Sequence, residues 1–352
     1  MDTEIINRLR AGCVIPAHPL ALDADHRIDT RHQRALTRYY LAAGAGGLAV
    51  GVHTTGFAIH DPKVGLLKPV LELAAETAAE HTSRTNQPPP IMIAGILGQT
   101  PQAIKEAQLA RDTGYHLGLL SLTALAGRSI DELIDHARNV AEVIPLIGFY
   151  LQEYISGMTL PQTFWRRFVE IPNVHAIKIA PFNRYQTLDV LEAVAASGRA
   201  DEIALYTGND DNVIGDLLTS YCFNVAGRTV RLRMAGGLLG QWACWTRNAV
   251  HILQQIQAIH RQNAPVPPQL LTLAAQLTLA NKAIFDADHN FAGCIPGILH
   301  VLKRQGLVRY THTLNPREQL SPNQAEQIDR IIDSYPHLAD SDFVQQNRAA
   351  WF

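Results

Sequence analysis

From Gly12 to about Gln254 the chain repeats one pattern: a short apolar run, a polar or glycine turn, then an amphipathic stretch of helical period. Strands are expected to start near Gly12, Gly47, Pro90, His116, Pro145, Val174, Glu202 and Thr229. Successive starts lie roughly 30 residues apart, the length of one strand–helix unit. Eight such units predict a (β/α)8 barrel of parallel strands, a fold of about 250 residues. A doubly wound open sheet is the competing arrangement. It would carry a Gly-x-Gly-x-x-Gly turn after its first strand, and this chain has none.

Boundary residues support the helices. Ser129, followed by Ile130-Asp131-Glu132, suits an N-cap, and Thr100-Pro101 places proline at a first helical position. After about Arg261 the pattern changes. Pro265 to Pro268 breaks the chain, and helices are predicted over Gln269–Phe285, Ile295–Arg304, Pro322–Ser334 and Asp340–Ala350. The expected division is a barrel domain over residues 1–262 and a C-terminal helical region over 263–352.

Composition narrows the function classes. The 352 residues are 47% apolar and 18% charged, with a formal net charge of −2. That is material for a large core, with no basic field for nucleic acid or anionic lipid. Cys13, Cys222, Cys244 and Cys294 are scattered, as expected of reduced thiols. Residues 1–10 lack the apolar core of a signal peptide, and no apolar run is long enough for a membrane span. A cytoplasmic, soluble protein is expected. Fifteen histidines form no His-Glu-x-x-His or His-x-His pair, so neither a metal nor another cofactor is expected.

The chemistry-bearing positions lie at predicted strand ends. In Val174-His175-Ala176-Ile177-Lys178-Ile179-Ala180, alternation puts Lys178 on a face with Ala176 and Ala180. The isoleucine face suits the helices, which turns Lys178 into the barrel near its C-terminal mouth, where these barrels hold active sites. A lysine between alanines there is expected to favour its neutral, nucleophilic amine. A buried lysine paired with a carboxylate fits the same pattern. Strand five puts Gly148, Tyr150 and Gln152 on one face, so Tyr150 is expected to point inward, as a proton-transfer group or as a core aromatic. Thr54-Thr55-Gly56 offers hydroxyls and amides for a carboxylate, or is an ordinary turn. His53 beside it reads as a structural histidine. In Thr229-Val230-Arg231-Leu232-Arg233-Met234 both arginines are expected to face the axis. Arg231 would be ion-paired, for instance with Glu153, and Arg233 would bind the distal end of a substrate.

In order and spacing these pieces resemble the dihydrodipicolinate synthase and N-acetylneuraminate lyase superfamily from about Val14 to Val308. The resemblance rests on Gly44 to Gly56, Gly148-Phe149-Tyr150, Ala176-Ile177-Lys178, the turn Tyr206-Thr207-Gly208-Asn209-Asp210, and Phe285 to Gly306. It implies that Lys178 forms a Schiff base with a 2-oxo acid, usually pyruvate, and that Tyr150 relays protons. It further implies that Thr54 and Thr55 bind the carboxylate, with Gly208 and Asn209 lining the site. A homo-oligomer, dimer or tetramer, is implied as well. The chain departs from the synthases proper in three places. Phe57 stands where a glutamate follows Thr-Thr-Gly, Leu151 to Ser156 contains no arginine, and Ser121-Leu122-Thr123-Ala124-Leu125 contains no tyrosine. The Schiff-base half is kept and the acceptor half rebuilt.

The expected function is therefore a class I aldolase or lyase acting on a 2-oxo acid. A dehydratase of a keto-deoxy sugar acid would use the same iminium. From other classes, a metal-dependent barrel enzyme and a non-catalytic 2-oxo-acid-binding protein remain as alternatives.

Overall fold

The computed structural model describes residues 3–85 and 87–352. Eight strands pair in one sheet: β1 (Val14–Pro16), β2 (Gly47–Val50), β3 (Ile91–Ile96), β4 (Leu117–Leu120), β5 (Leu146–Leu151), β6 (Val174–Ala180), β7 (Ala204–Thr207) and β10 (Gly236–Leu239). Their order is β1-β10-β7-β6-β5-β4-β3-β2. The strands at the two ends of that order meet through a parallel bridge between Ala17 and Ala49. This is a (β/α)8 barrel, as the repeat predicts. No helix among the described residues is long and apolar enough to cross a membrane.

The eighth barrel strand is not the predicted one. Thr229–Leu232 lies in β9 (Arg228–Leu232), which pairs antiparallel with β8 (Tyr221–Val225) in a separate two-stranded sheet. Ala226 and Gly227 join them with φ of 50° and 79°, the paired positive φ of a two-residue hairpin turn. The barrel strand follows at Gly236. A Cβ there would lie 2.3 Å from the Cys13 carbonyl oxygen, so only glycine lets the two backbones approach so closely.

The chain forms two compact units, Met1–Cys13 with Ile91–Leu238, and Val14–Pro90 with Leu239–Phe352. The helices beyond residue 262 thus share a unit with β1 and β2. Those helices run over Pro268–Ile284, Cys294–Arg304, Gln324–Ser334 and Ser341–Asn347, close to prediction. Within their unit, the buried Asp340 accepts from the Tyr39 hydroxyl, the Arg247 amide and Gln305 Nε2. One carboxylate thereby ties the C-terminal segment to the first turn of the helix Thr246–Gln262.

In the other unit, register fixes which side chains share a face. Phe149 pairs with Lys178, and Lys178 with Tyr206. Leu119 pairs with Ile147, and Ile147 with Ala176. A Cβ on Gly148 would lie 2.5 Å from the ring of Phe168, a residue of the helix Gln162–Phe168. The Gly148 face is therefore the helix side. Leu119, Ile147, Phe149, Ala176, Lys178 and Tyr206 occupy the other side, the barrel interior. The N-cap of the helix Ile130–Ala141 is Ser129, with a reciprocal Ser129–Glu132 capping box.

Candidate active site

Lys178 lies two residues before the C-terminal end of β6, with 6% of its surface exposed. Its neighbours along the interior face are Ala176 and Ala180. The Phe149 ring faces it from β5, with Nζ 4.3 Å from the ring centroid. On the β7 side the chain runs into Gly208, where a Cβ would lie 2.8 Å from Lys178 Cε and 3.3 Å from Cγ. The glycine is what leaves room for the lysine stem. Below it, Tyr206 donates to the Leu9 carbonyl at 2.8 Å and lies 3.7 Å from Cys13 Sγ, so its hydroxyl is committed to the chain's first helix. Burial pushes that phenol well above its ordinary pKa, and the neighbouring Cys13 adds to the rise.

Tyr150 does not face Lys178. It pairs with Ile179, one position out of phase, and so sits on the helix side. Its ring packs 5.3 Å from that of Trp165, and its hydroxyl accepts from the Leu160 amide at 3.3 Å. Burial pushes its pKa up to about 12, and the Leu160 amide only partly offsets this. The inward expectation rested on the Gly148, Tyr150 and Gln152 face being the less apolar one. Gly148 is small because Phe168 occupies the space where its side chain would be.

The Asn209 side chain is committed within the protein. It is fully buried; its Oδ1 accepts from the Phe182 amide, and its Nδ2 donates to Thr187 Oγ1 and Asp216 Oδ2. The hub of this network is Asp216, which sequence reading missed. It has no exposed surface and accepts from Thr207 Oγ1 (2.7 Å), Asn209 Nδ2 (2.9 Å), Asn212 Nδ2 and the Tyr221 hydroxyl (both 3.2 Å). Arg184 closes the set with an ion pair. These bonds fix the turn after β7, and with it Gly208. The only sequence signal was a polar run, Asn209 to Asn212, and Asp216 itself reads as an ordinary helix residue.

Arg233 is not on a barrel strand. It follows the β8–β9 hairpin, with Nε donating to Ser220 Oγ at 2.9 Å. Arg231 is an exposed hairpin residue opposite Cys222. The alternation that pointed both arginines at an axis belongs to the hairpin, so neither lies on a barrel strand.

In the second unit, β2 ends in a short 3-10 turn, His53–Thr55. The Thr55 hydroxyl is saturated: it donates to the His18 carbonyl at 2.7 Å and accepts from the Gly51 and Val52 amides. Its amide donates to the Val52 carbonyl. Thr55 therefore locks the turn and has no hydroxyl capacity left for a carboxylate. Thr54, beside it in the same turn, is buried. His53 packs edge-on against Phe57, as a structural histidine would.

The fold and its interior lysine define a class, that of (β/α)8 barrels with a lysine-bearing sixth strand. No protein-family model matches the chain, and no curated protein matches it in sequence. Solved structures do match in fold. A dihydrodipicolinate synthase from Oceanobacillus iheyensis superposes with a TM-score of 0.74 at 15% identity, over 95% of this chain and 99% of that one. The chloride-inhibited dihydrodipicolinate synthase from Acinetobacter baumannii, complexed with pyruvate, gives 0.73 at 18%, over 93% and 99%. N-acetylneuraminate lyase from Fusobacterium nucleatum gives 0.70 at 15%, over 93% and 99%. The chain has the fold of the dihydrodipicolinate synthase and N-acetylneuraminate lyase structures.

Proposed function

We propose that the protein is a Schiff-base lyase of that superfamily, acting on pyruvate or another 2-oxo acid through Lys178. The observation that carries the reading is the lysine's setting. A nearly buried amine stands on the barrel interior beside an aromatic face, and a glycine is required for its stem to fit. The pyruvate complex of a similarly folded synthase supports the choice of ligand.

In this reading the neutral amine attacks the ketone carbon and forms a carbinolamine. Loss of water gives an iminium, with nitrogen and carbon sharing the double bond. That cation draws the electrons of a neighbouring bond, so a C–C bond one carbon away breaks, or forms in reverse, through an enamine. The Phe149 ring and the alanine-lined strand keep water from the intermediate. Thr54 is the remaining candidate for the carboxylate, on its motif alone. Tyr150, Thr55, Asn209 and Arg233 are left out of the mechanism.

The test is borohydride reduction in the presence of pyruvate and a panel of longer 2-oxo acids, read by intact mass. One reduced adduct per chain is expected with the wild type and none with Lys178→Ala, which should remain folded. No adduct with any acid would overturn the reading.

A further inference from the structure

With Tyr150 on the helix side, the phenol expected to move protons is absent from the interior. β4 offers a replacement. The Ser121 amide donates to the Ile96 carbonyl at 2.9 Å, continuing the ladder in which Ile96 pairs with Leu120. Ser121 thus keeps strand alternation, and its side chain falls on the interior face with Leu119. Leu119 shares its level with Ile147 and Ala176, so Ser121, two residues on, shares the level of Phe149 and Lys178. Two strand spacings, ~10 Å, separate the backbones of β4 and β6, and the intervening residue at that level is Phe149, which has no hydroxyl. Ser121 is buried, and its Oγ lies 3.1 Å from Thr123 Oγ1, whose residue is half-exposed. The pair is a hydroxyl chain that runs from the interior toward solvent. Tyr206 at the same level is committed to Leu9 and Cys13.

We infer that Ser121 and Thr123 form the proton relay for the iminium on Lys178, an inference that rests on the Schiff-base reading. When pyruvate is bound as the iminium, a methyl C–H bond breaks and its electron pair forms the new C=C bond. The iminium π pair returns to nitrogen, giving a neutral enamine. The released proton passes to Ser121 Oγ as the proton of Ser121 passes to Thr123 and that of Thr123 passes to water. Each hydroxyl ends as it began, and the net transfer is one proton from carbon to solvent. Reversal reprotonates the enamine. A hydroxyl is too weak a base to hold the proton, so the two act only by concerted transfer. That explains why both are needed.

The probe is pyruvate in D2O, with loss of the methyl proton signal followed by NMR and the borohydride adduct measured in parallel. Wild type is expected both to trap and to exchange. Ser121→Ala and Thr123→Val should still give the adduct at equilibrium, with exchange slowed by about 10²-fold, the usual scale for a positioned proton-transfer group. Ser121→Thr, which keeps the hydroxyl, should restore most of the rate. Exchange at the wild-type rate in both hydroxyl-free variants, or trapping without exchange in the wild type, overturns the relay and leaves the Schiff base standing. No trapping in the wild type overturns both.

Discussion

At Gly208 a single hydrogen in place of a methyl group decides whether Lys178 can occupy its rotamer, because the lysine's Cε would lie 2.8 Å from any Cβ. Tyr150 carries the opposite lesson. Tyr150→Phe removes one long hydrogen bond, to the Leu160 amide, from a packed aromatic cluster. The expected outcome is a stability loss of about 1 kcal/mol in denaturant titration and turnover within a few-fold of wild type. A drop of about 10²-fold would return the tyrosine to the chemistry. The interior side of Lys178 was legible in the sequence because a lysine between alanines, with isoleucines on the alternate positions, marks a face, whereas Gly208 came only with the resemblance, since glycine is common in turns. The saturation of Thr55 was not, since nothing in Thr-Thr-Gly tells which hydroxyl turns back to the His18 carbonyl.

Strands β5 and β6 and the turn after β7 form the framework around the lysine, and alternation read them unequally well. In β6 the isoleucines mark the helix side plainly. In β5, Ile147, Phe149 and Leu151 are more apolar than Gly148, Tyr150 and Gln152, so hydropathy alone does not pick the observed helix face. Register against β6 and the position of Phe168 choose it. The hairpin misled for a different reason: Thr229–Leu232 is a true strand, and only its antiparallel partner separates it from a barrel strand. Asp216 is where this framework is most sensitive. Asp216→Ala would leave Asn209, Thr207 and the Tyr221 hydroxyl without their shared acceptor. It should cost roughly 3 kcal/mol or more in thermal or denaturant melts. A loss under about 1 kcal/mol would show that the network is dispensable to the turn.

The period of the repeat made the barrel legible as a whole, and the proline break marked the start of the C-terminal helices. The grouping of those helices with β1 and β2 was not legible, because it depends on long-range ties such as Tyr39 to Asp340. Stability should also carry the signature of two histidines buried in neutral form. Burial lowers both His18 and His136 to about 4, with the Pro19 carbonyl partly offsetting it at His18. Between about pH 6.5 and pH 4 the unfolded chain binds protons that the folded chain refuses. Folded stability should therefore fall as pH falls through that window, by up to about 1.4 kcal/mol per pH unit for each histidine. A stability flat from pH 7 to pH 4 would contradict their burial. The catalytic claim is tested most directly by peptide mapping of the borohydride-reduced pyruvate adduct. The chain has six lysines, at positions 63, 68, 105, 178, 282 and 303. The adduct mass is expected on the peptide that contains Lys178 and on no other, and its appearance at any of the remaining five would contradict the account.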